Sequence, residues 1–274
     1  MIQRLPLVAG DVAHLMDVIE RMAGLGSSTV LVGGLVPPLL LEALDPDGFD
    51  EAPSPRETTD CDLAIGLVIG ARTTIDDIHQ SLLDAGWQPD PQRSQFAWRK
   101  GGLKLDALPV PAGIEARDAA AVAAVARFET RAPEQFFRGY EFAMQAPVVI
   151  NVETPDGPRP LRIAGLVAIL AAKLQARLDR RFDRKRDAHD IGWLVRYMKP
   201  SLIVDALRRA AAMRSDLVAF VQGQLERSFS DPDADGCMDY AAEAHSIVDE
   251  YNEPHREAVA MSIRVILDAY RRLG

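Results

Sequence analysis

The hydrophobic pattern changes period along the first part of the chain, from helical spacing to short continuous apolar runs. Within residues 9–25, apolar side chains such as Val12, Leu15 and Ile19 recur every three or four positions, which predicts an amphipathic helix. The run Val30–Val32 is short, apolar and bounded by Ser and Gly, which is typical of a buried strand. A helix followed by a core strand is therefore the predicted beginning of the fold.

Strand and helix signals alternate from there to about residue 108. A strand is predicted from residue 58 to 69 and a helix over 75–85. Two alternating runs, 95–99 and 103–108, flank the sequence Lys-Gly-Gly and predict a hairpin. Between the first two strands, prolines stand at the beginning of a short apolar helix that ends near residue 44. The segment 45–57 is rich in Pro, Gly and acids, which predicts a loop.

The pattern changes from mixed helix and strand signals to helical signals at about residue 165. Before that point, an alanine-rich helix is predicted over 115–128. Short strands are predicted at 140–144, 148–153 and 161–163. Helical segments follow from residue 165 and at 201–228 and 255–272, with a loop at 228–236. We therefore predict an α+β fold, in which residues 1–163 form a domain with a mixed sheet and flanking helices and residues 164–274 form a helical domain or bundle.

Composition narrows the functional classes. The chain has 274 residues, two cysteines and a net charge of −9, which disfavours a disulfide framework and broad binding to nucleic acid. No apolar run approaches about 20 residues, so we expect no membrane-spanning helix and no membrane partner. The first residues lack the apolar core of a signal peptide, and we expect a cytoplasmic protein.

Two carboxylates on the second predicted strand point to metal chemistry. Asp60 and Asp62 alternate with Cys61, so they share one face about 6.5 Å apart while Cys61 faces the core. Mg²⁺, or Mn²⁺ in its place, takes such oxygen ligands together with substrate phosphates. Gly33 and Gly34 follow the first strand, where backbone N–H groups can approach a phosphate. A solvated strand end is the alternative interpretation of the two aspartates.

These motifs resemble the nucleotidyltransferase superfamily with the polymerase-β-like core, whose signature is a glycine turn, an Asp-x-Asp strand and a later third carboxylate. Asp106 would be that third residue. Within the superfamily, residues 28 to 196 look most like the AbiEii-type branch, which includes toxins of toxin–antitoxin pairs. The further matching residues are Lys173 and the run Arg186-Asp187-Ala188-His189-Asp190.

The resemblance implies a role for each matching position. Metal ions would be held by Asp60, Asp62 and Asp106. The nucleotide-binding residues would be Gly33, Gly34, Thr59, Lys173, Arg177 and Asp190. Lys173 and Asp187 would complete the catalytic set with the three metal ligands. The reaction implied is transfer of NMP from an NTP to an acceptor hydroxyl on RNA, particularly a tRNA end, or on protein. A toxin would have a cognate antitoxin as its partner.

Other interpretations stay open at this level. The fold would also serve a nucleotide-binding or interaction module without turnover, a small-molecule (antibiotic) nucleotidyltransferase or a phosphotransferase. Lys173 is equally typical of a lysine at the edge of a core, and Asp187 and Asp190 of structural ion-pair partners. Seven cations between Lys173 and Arg186 form either a solvated face or a surface for RNA or triphosphate.

Overall fold

A mixed β-sheet with flanking helices forms one part of the molecule, and a set of packed helices forms the other. The computed structural model describes residues 2–3, 5, 7, 9–55, 58, 60–68, 75–90, 92, 96–112, 138–179, 184–247 and 252–273. The chain divides into one unit of Met1–Val36 and Glu57–Gly165 and a second of Pro37–Arg56 and Leu166–Gly274. The architecture is α+β, as predicted.

The first unit is organised around eight described strands in the order β1-β7-β8-β2-β3-β6-β5-β4. The strands are β1 (Ile2–Gln3), β2 (Thr29–Val32), β3 (Asp60–Val68), β4 (Gln88–Pro89), β5 (Ala97–Lys100), β6 (Leu103–Ala112), β7 (Val148–Val152) and β8 (Arg159–Ile163). The helices of this unit are α1 (Ala9–Gly24), α4 (Ile75–Asp84) and α5 (Arg138–Gln145). The predicted helix at 9–25, the strand at 30–32 and the hairpin are confirmed.

The centre of the sheet decides the arrangement of the polar residues. β3 pairs antiparallel with β2 and parallel with β6, and β6 pairs antiparallel with β5 through the turn at Gly101. One face of β3 and β6 is fully apolar: Cys61, Leu63 and Leu105 are each 0% exposed. Because side chains alternate along a strand, the intervening residues all lie on the opposite face.

The segment predicted as a strand at 140–144 is instead helix α5. The alternation of Tyr140 and Phe142 suggested a strand, but the buried residues Gly139, Phe142 and Ala143 follow helical spacing. The helix packs against β2, β3 and β6. Packing against the sheet therefore outweighs the local β-propensity of the aromatic residues. The predicted helix at 115–128 lies outside the described residues.

The second unit consists of helices. They are α2 (Val36–Leu44, whose first residue belongs to the first unit), α3 (Pro46–Glu51), α6 (Leu166–Asp179), α7 (Arg184–Tyr197), α8 (Pro200–Met213), α9 (Ser215–Phe229), α10 (Asp235–Ile247) and α11 (Asn252–Leu273). Ile169, Leu207, Val221 and Ile263, from four of these helices, are each no more than 1% exposed. The predicted segment 201–228 is two helices, and α10 begins inside the predicted loop 228–236.

The predicted loop at 45–57 is wrong over residues 46–51, which form α3. Asp45 caps this helix by accepting the Gly48 N–H at 3.4 Å, and Pro46 occupies the first turn, where its missing N–H costs nothing. The Asp-Pro pair is a helix-start signal that the loop composition obscured. The capping carboxylate also accepts the Lys199 backbone N–H at 2.7 Å and contacts Lys199 Nζ at 2.9 Å.

These contacts explain why residues 37–56 belong to the second unit, although the sequence analysis assigned them to the first domain. Trp193 Nε1–H donates to the Pro53 carbonyl at 3.3 Å. Gly48 lies so close to α7 that a Cβ there would overlap the Tyr197 carbonyl oxygen and lie 3.0 Å from Asp45 Oδ2.

Among the described residues, no helix combines the length and apolar character needed to cross a membrane.

Gly48→Ala is expected to lower the free energy of unfolding by about 1–3 kcal/mol, because the new methyl group meets rigid backbone. Helix propensity alone predicts the opposite sign, a gain of up to about 1 kcal/mol. Gly223→Ala in α9 is the matched control, since a Cβ there meets nothing within 4 Å. Urea unfolding of both variants checks the prediction, and equal stabilisation by both would contradict the close packing of α3 on α7.

Candidate functional site

Two of the predicted metal ligands lie directly opposite each other on neighbouring strands. In the parallel pairing of β3 with β6, Asp62 is the register partner of Asp106. Neighbouring strands are about 4.8 Å apart, and paired residues point to the same face. Both side chains are half-buried. The fold therefore holds two carboxylates side by side, with Val32 of β2 as the next neighbour in the same row.

The glycine turn lies against this pair. Gly33 begins a single 3₁₀ turn after β2, with a φ of +78°. A Cβ on Gly33 would overlap Asp62 Oδ2 and lie 2.7 Å from its Cγ. Glycine is therefore required here twice, for the left-handed backbone and for the room that the carboxylate occupies. Gly34 follows in the same turn and is half-buried.

Asp60 lies on the same face, one row away, but its partner is a cation. Its register partner on β6 is Lys104, whose Nζ lies 3.7 Å from Asp60 Oδ1. Within the described ranges, no group of three or more His, Cys, Asp or Glu side chains is arranged to hold a metal ion. In this structure Asp60, Asp62 and Asp106 thus share a face without forming a three-ligand metal site.

A divalent cation nevertheless fits the pair of opposed carboxylates. Mg²⁺ is commonly held by one or two carboxylates, with the remaining positions filled by water and phosphate oxygens. Asp62 and Asp106 supply those two ligands, and the missing side chain at Gly33 leaves the Asp62 carboxylate its space. These two residues would hold the metal, and Asp60 is the third carboxylate within the same face.

The charge on this face also affects the thiol between the aspartates. Burial, and then the charges of Asp62, Asp106 and Asp60, raise the pKa of Cys61 well above its ordinary value. Cys61 therefore remains a neutral, buried thiol, which agrees with its predicted position on the core side. That all three carboxylates act on one side chain reflects how closely they are grouped.

The glycine turn offers fewer phosphate-binding groups than its sequence suggested. α2 follows directly, but Pro37 and Pro38 in its first turn have no N–H, and the Val36 N–H already donates to the Gly33 carbonyl. Thr59, a predicted nucleotide-binding residue, lies outside the described residues. Its neighbour Thr58 accepts the Asp60 N–H through Oγ1 at 3.3 Å.

A second polar cluster lies in the helical unit. Lys173 Nζ on α6 contacts Asp187 Oδ1 at 3.1 Å and Asp190 Oδ2 at 2.7 Å on α7. The side chains of Lys173, Asp187 and Asp190 are 12%, 2% and 6% exposed. The structure thus brings together three residues of two consecutive helices that the resemblance selected. Both aspartates contact the lysine, which agrees with the alternative that they are structural ion-pair partners.

The electrostatics of this cluster favour a permanently charged lysine. Burial alone would lower the pKa of Lys173, but the charges and hydrogen bonds of Asp190 and Asp187 outweigh it and raise that pKa above its ordinary value. The stability that the contact adds is therefore present below the unfolded-state pKa of about 10.4 and is lost only as pH rises through the folded-state pKa. The ammonium group is already neutralised by two carboxylates.

Arg177 is also engaged within the helical unit. It is 5% exposed, and NH2 contacts Asp239 Oδ2 at 2.9 Å and Asp235 Oδ2 at 3.0 Å. Arg184 Nε reaches the same Asp239 oxygen at 3.1 Å. These arginines hold α10 to α6 and α7, which is the structural interpretation of part of the basic run. Arg180 and Arg181 lie outside the described residues, and Lys185 and Arg186 are exposed.

Lys104 is the residue of this site that the sequence analysis did not select. It lies two positions before Asp106, so strand alternation alone places both side chains on one face. The signal that could have identified it was therefore present, but its position opposite Asp60 required the register of β3 against β6.

Gly33→Ala is expected to cost more stability than the same change at Gly86, which shares its φ of +78° but has nothing within 4 Å of a Cβ. Backbone strain costs about 1–2 kcal/mol in both variants. Overlap with the Asp62 carboxylate adds about 1–3 kcal/mol at Gly33 alone. Urea unfolding gives both values. In an Asp62→Gly background, which removes the carboxylate together with the Cβ 2.9 Å away, the additional cost at Gly33 should disappear, and its persistence would contradict the contact.

Lys173→Met is expected to lower the free energy of unfolding by about 3–5 kcal/mol, because it leaves two buried carboxylates without their shared cation. The loss should be equal at pH 7 and pH 9, below the range in which Lys173 titrates. The triple change with Asp187→Asn and Asp190→Asn removes the uncompensated charges and should restore most of the stability. A loss below about 1 kcal/mol in the single variant would argue against a structural role.

Comparisons of the chain with protein-family models, with curated proteins and with solved structures found no match. The resemblance of the sequence motifs to nucleotidyltransferases therefore stays a prediction, and the geometry around Asp62 and Asp106 is the basis for a functional proposal.

Proposed function

We propose that this chain is a Mg²⁺-dependent nucleotidyltransferase that moves an NMP group from an NTP to an acceptor hydroxyl. The observation that carries the proposal is the pairing of Asp62 with Asp106 beside the side-chain-free position at Gly33. Two carboxylates held side by side repel each other, so a fold that forces them together favours a cation between them. The glycine at position 33 gives the Asp62 carboxylate its space in this arrangement.

The proposed reaction forms one bond and breaks one. The acceptor hydroxyl oxygen attacks the α-phosphorus of the NTP, the bond from that phosphorus to the α,β-bridging oxygen breaks, and pyrophosphate leaves. A bound Mg²⁺ would orient the phosphates and stabilise the charge that develops on the leaving group. Asp62 and Asp106 would hold the cation, and Asp106 would also accept the hydroxyl proton.

The acceptor class is taken from the sequence motifs. Their resemblance to the AbiEii-type branch favours a hydroxyl on RNA, particularly a tRNA end, or on a protein side chain. If the chain acts as a toxin, a cognate antitoxin is its partner. Lys173, Asp187 and Asp190 match the same branch, and their mutual contacts support a role in holding α6 to α7.

A transfer assay with total RNA, Mg²⁺ and each of the four α-labelled NTPs tests the proposal. The full-length protein is expected to label RNA or itself, and chelation of the metal should abolish labelling. Asp62→Asn and Asp106→Asn should each reduce the rate to below about one hundredth, a barrier increase of about 2.7 kcal/mol. Asp156→Asn is the control, because its side chain is 80% exposed and lies in the turn between β7 and β8.

Each outcome of this assay supports or excludes one of the possible functions. Label in RNA identifies the acceptor class and the nucleotide, and label in the protein identifies protein nucleotidylation. Equal labelling by the wild type and both aspartate variants would refute the proposed site. Mg²⁺-dependent NTP binding without transfer to RNA or protein would instead favour a binding module or a small-molecule acceptor.

A further inference from the structure

On one face of the sheet, a row of paired residues that includes two cations lies beside the row that contains Asp62 and Asp106. Register pairs continue from Asp60 on β3 to Lys104 on β6 and on to Arg99 on β5. The neighbouring row, two residues along the strands, runs from Asp62 to Asp106 and then to Ala97. Rows two residues apart on one face are separated by about 6.6 Å. The face therefore has a negatively charged row next to a row with two cations.

The cations of this row are accessible. The Lys104 side chain is 51% exposed, and Arg99 is also exposed. Lys104 contacts Asp60, which is 41% exposed, at 3.7 Å, the length of a weak surface ion pair. A contact of this kind exchanges readily, since it gains about 1 kcal/mol or less. Lys104 can therefore leave Asp60 for a stronger anion without a large loss of stability.

A phosphate ligand at this site needs a source of positive charge, and the predicted sources are engaged. Lys173 is neutralised by Asp187 and Asp190, and Arg177 by Asp239 and Asp235. The turn at Gly33 leads into two prolines that have no N–H to donate. Lys104 and Arg99 share a face with Asp62 and Asp106 and lie in the neighbouring row.

We propose that Lys104, assisted by Arg99, binds the β- and γ-phosphates of the nucleotide. Before Mg²⁺ and the nucleotide bind, Lys104 pairs with Asp60 in place of the metal. The inference rests on the proposed function and extends it to the residues that bind the phosphate chain. The two rows contain three carboxylates and two cations, so a divalent cation would make their net charge positive and favour an anionic chain. Asp60 would then help to hold the metal, and the Lys104 ammonium would be available to the phosphates.

The proposal predicts that the loss of Lys104 changes the affinities for Mg²⁺ and for phosphate in opposite directions. A purely structural role of Lys104 would not produce this result. In Lys104→Gln, Mg²⁺ alone should bind about threefold tighter, because a cation that competes for Asp60 is gone. Inorganic tripolyphosphate, in the presence of saturating Mg²⁺, should bind about tenfold weaker, because a charge-assisted contact is lost. Arg99→Gln should weaken tripolyphosphate binding as well, and both effects should shrink in 0.5 M KCl as salt screens these exposed charges.

Isothermal titration calorimetry on the full-length protein measures both affinities. Lys104→Arg should retain tripolyphosphate binding, because the charge is kept. Lys100→Gln is the matched control: it removes the same charge four residues earlier, on a side chain that donates to the Ala85 carbonyl at 2.7 Å, and should change neither affinity more than twofold. Thermal unfolding of each variant confirms that it is folded.

The outcomes separate this inference from the proposed function. Unchanged tripolyphosphate binding in Lys104→Gln, a parallel loss of both affinities, or no Mg²⁺-dependent tripolyphosphate binding in the wild type would overturn the role of Lys104. Transfer activity in the assay with α-labelled NTPs would then still stand on Asp62 and Asp106. The predicted opposite changes without any nucleotidyl transfer would support the phosphate site and refute the transferase activity.

Discussion

The register of β3 against β6 is the constraint on which the polar site depends. Cys61 and Leu63 on β3 and Leu105 on β6 fill one face of the sheet and are completely buried. A slip of one residue would turn the aspartates to this fully apolar face, which makes the register strongly specified. The hydrophobic face thus fixes Asp62 opposite Asp106, even though two like charges at that spacing repel each other. Burial on one side of the sheet stabilises a charge arrangement on the other side that is unfavourable by itself.

The two polar clusters differ in their charge balance, and this difference bears on their roles. Lys173 is enclosed by two carboxylates in the core of the helical unit, and Arg177 is likewise buried against Asp239. Removing one partner of such a buried ion pair leaves an uncompensated charge, which would disrupt the arrangement of the helices. The rows of Asp60 and Asp62 are partly exposed and contain three carboxylates and two cations. Local repulsion that a ligand can relieve is typical of a binding site rather than of a structural ion pair.

Because the protein has a net charge of −9, cations close to the site matter for the binding of an anionic ligand. An acidic protein repels polyphosphates at long range, so recognition of such a ligand requires a divalent metal and cations at close range. Lys104 and Arg99 satisfy the second condition through strand pairing alone, because register partners share a face. Their exposure allows them to change partners, whereas the cations of the helical unit are held by buried carboxylates.

Local sequence patterns predicted the correct secondary structure where one clear signal was present. The amphipathic spacing of α1, the alternation of β3 and the Gly-Gly turn between β5 and β6 each predicted the correct element. They failed at α5, where aromatic alternation suggested a strand, and at α3, where loop composition obscured the Asp45-Pro46 helix start. At α5, packing against the sheet outweighed local propensity. At α3, the hydrogen bond between Asp45 and Lys199 and the close approach of Gly48 to the last residue of α7, about 150 positions away, joined the segment to the helical unit.

The sequence by itself determined which chemistry-bearing residues share a strand face: Asp60 with Asp62, and Lys104 with Asp106. Strand alternation is a local property of the backbone, so no tertiary information is needed for it. The tertiary structure alone decided that these two strands are neighbours and in which register, and therefore that Asp62 faces Asp106 while Asp60 faces Lys104. It likewise decided that Lys173 is enclosed by Asp187 and Asp190. Contacts between distant segments follow from how the apolar faces are buried together, and a local pattern does not contain that information.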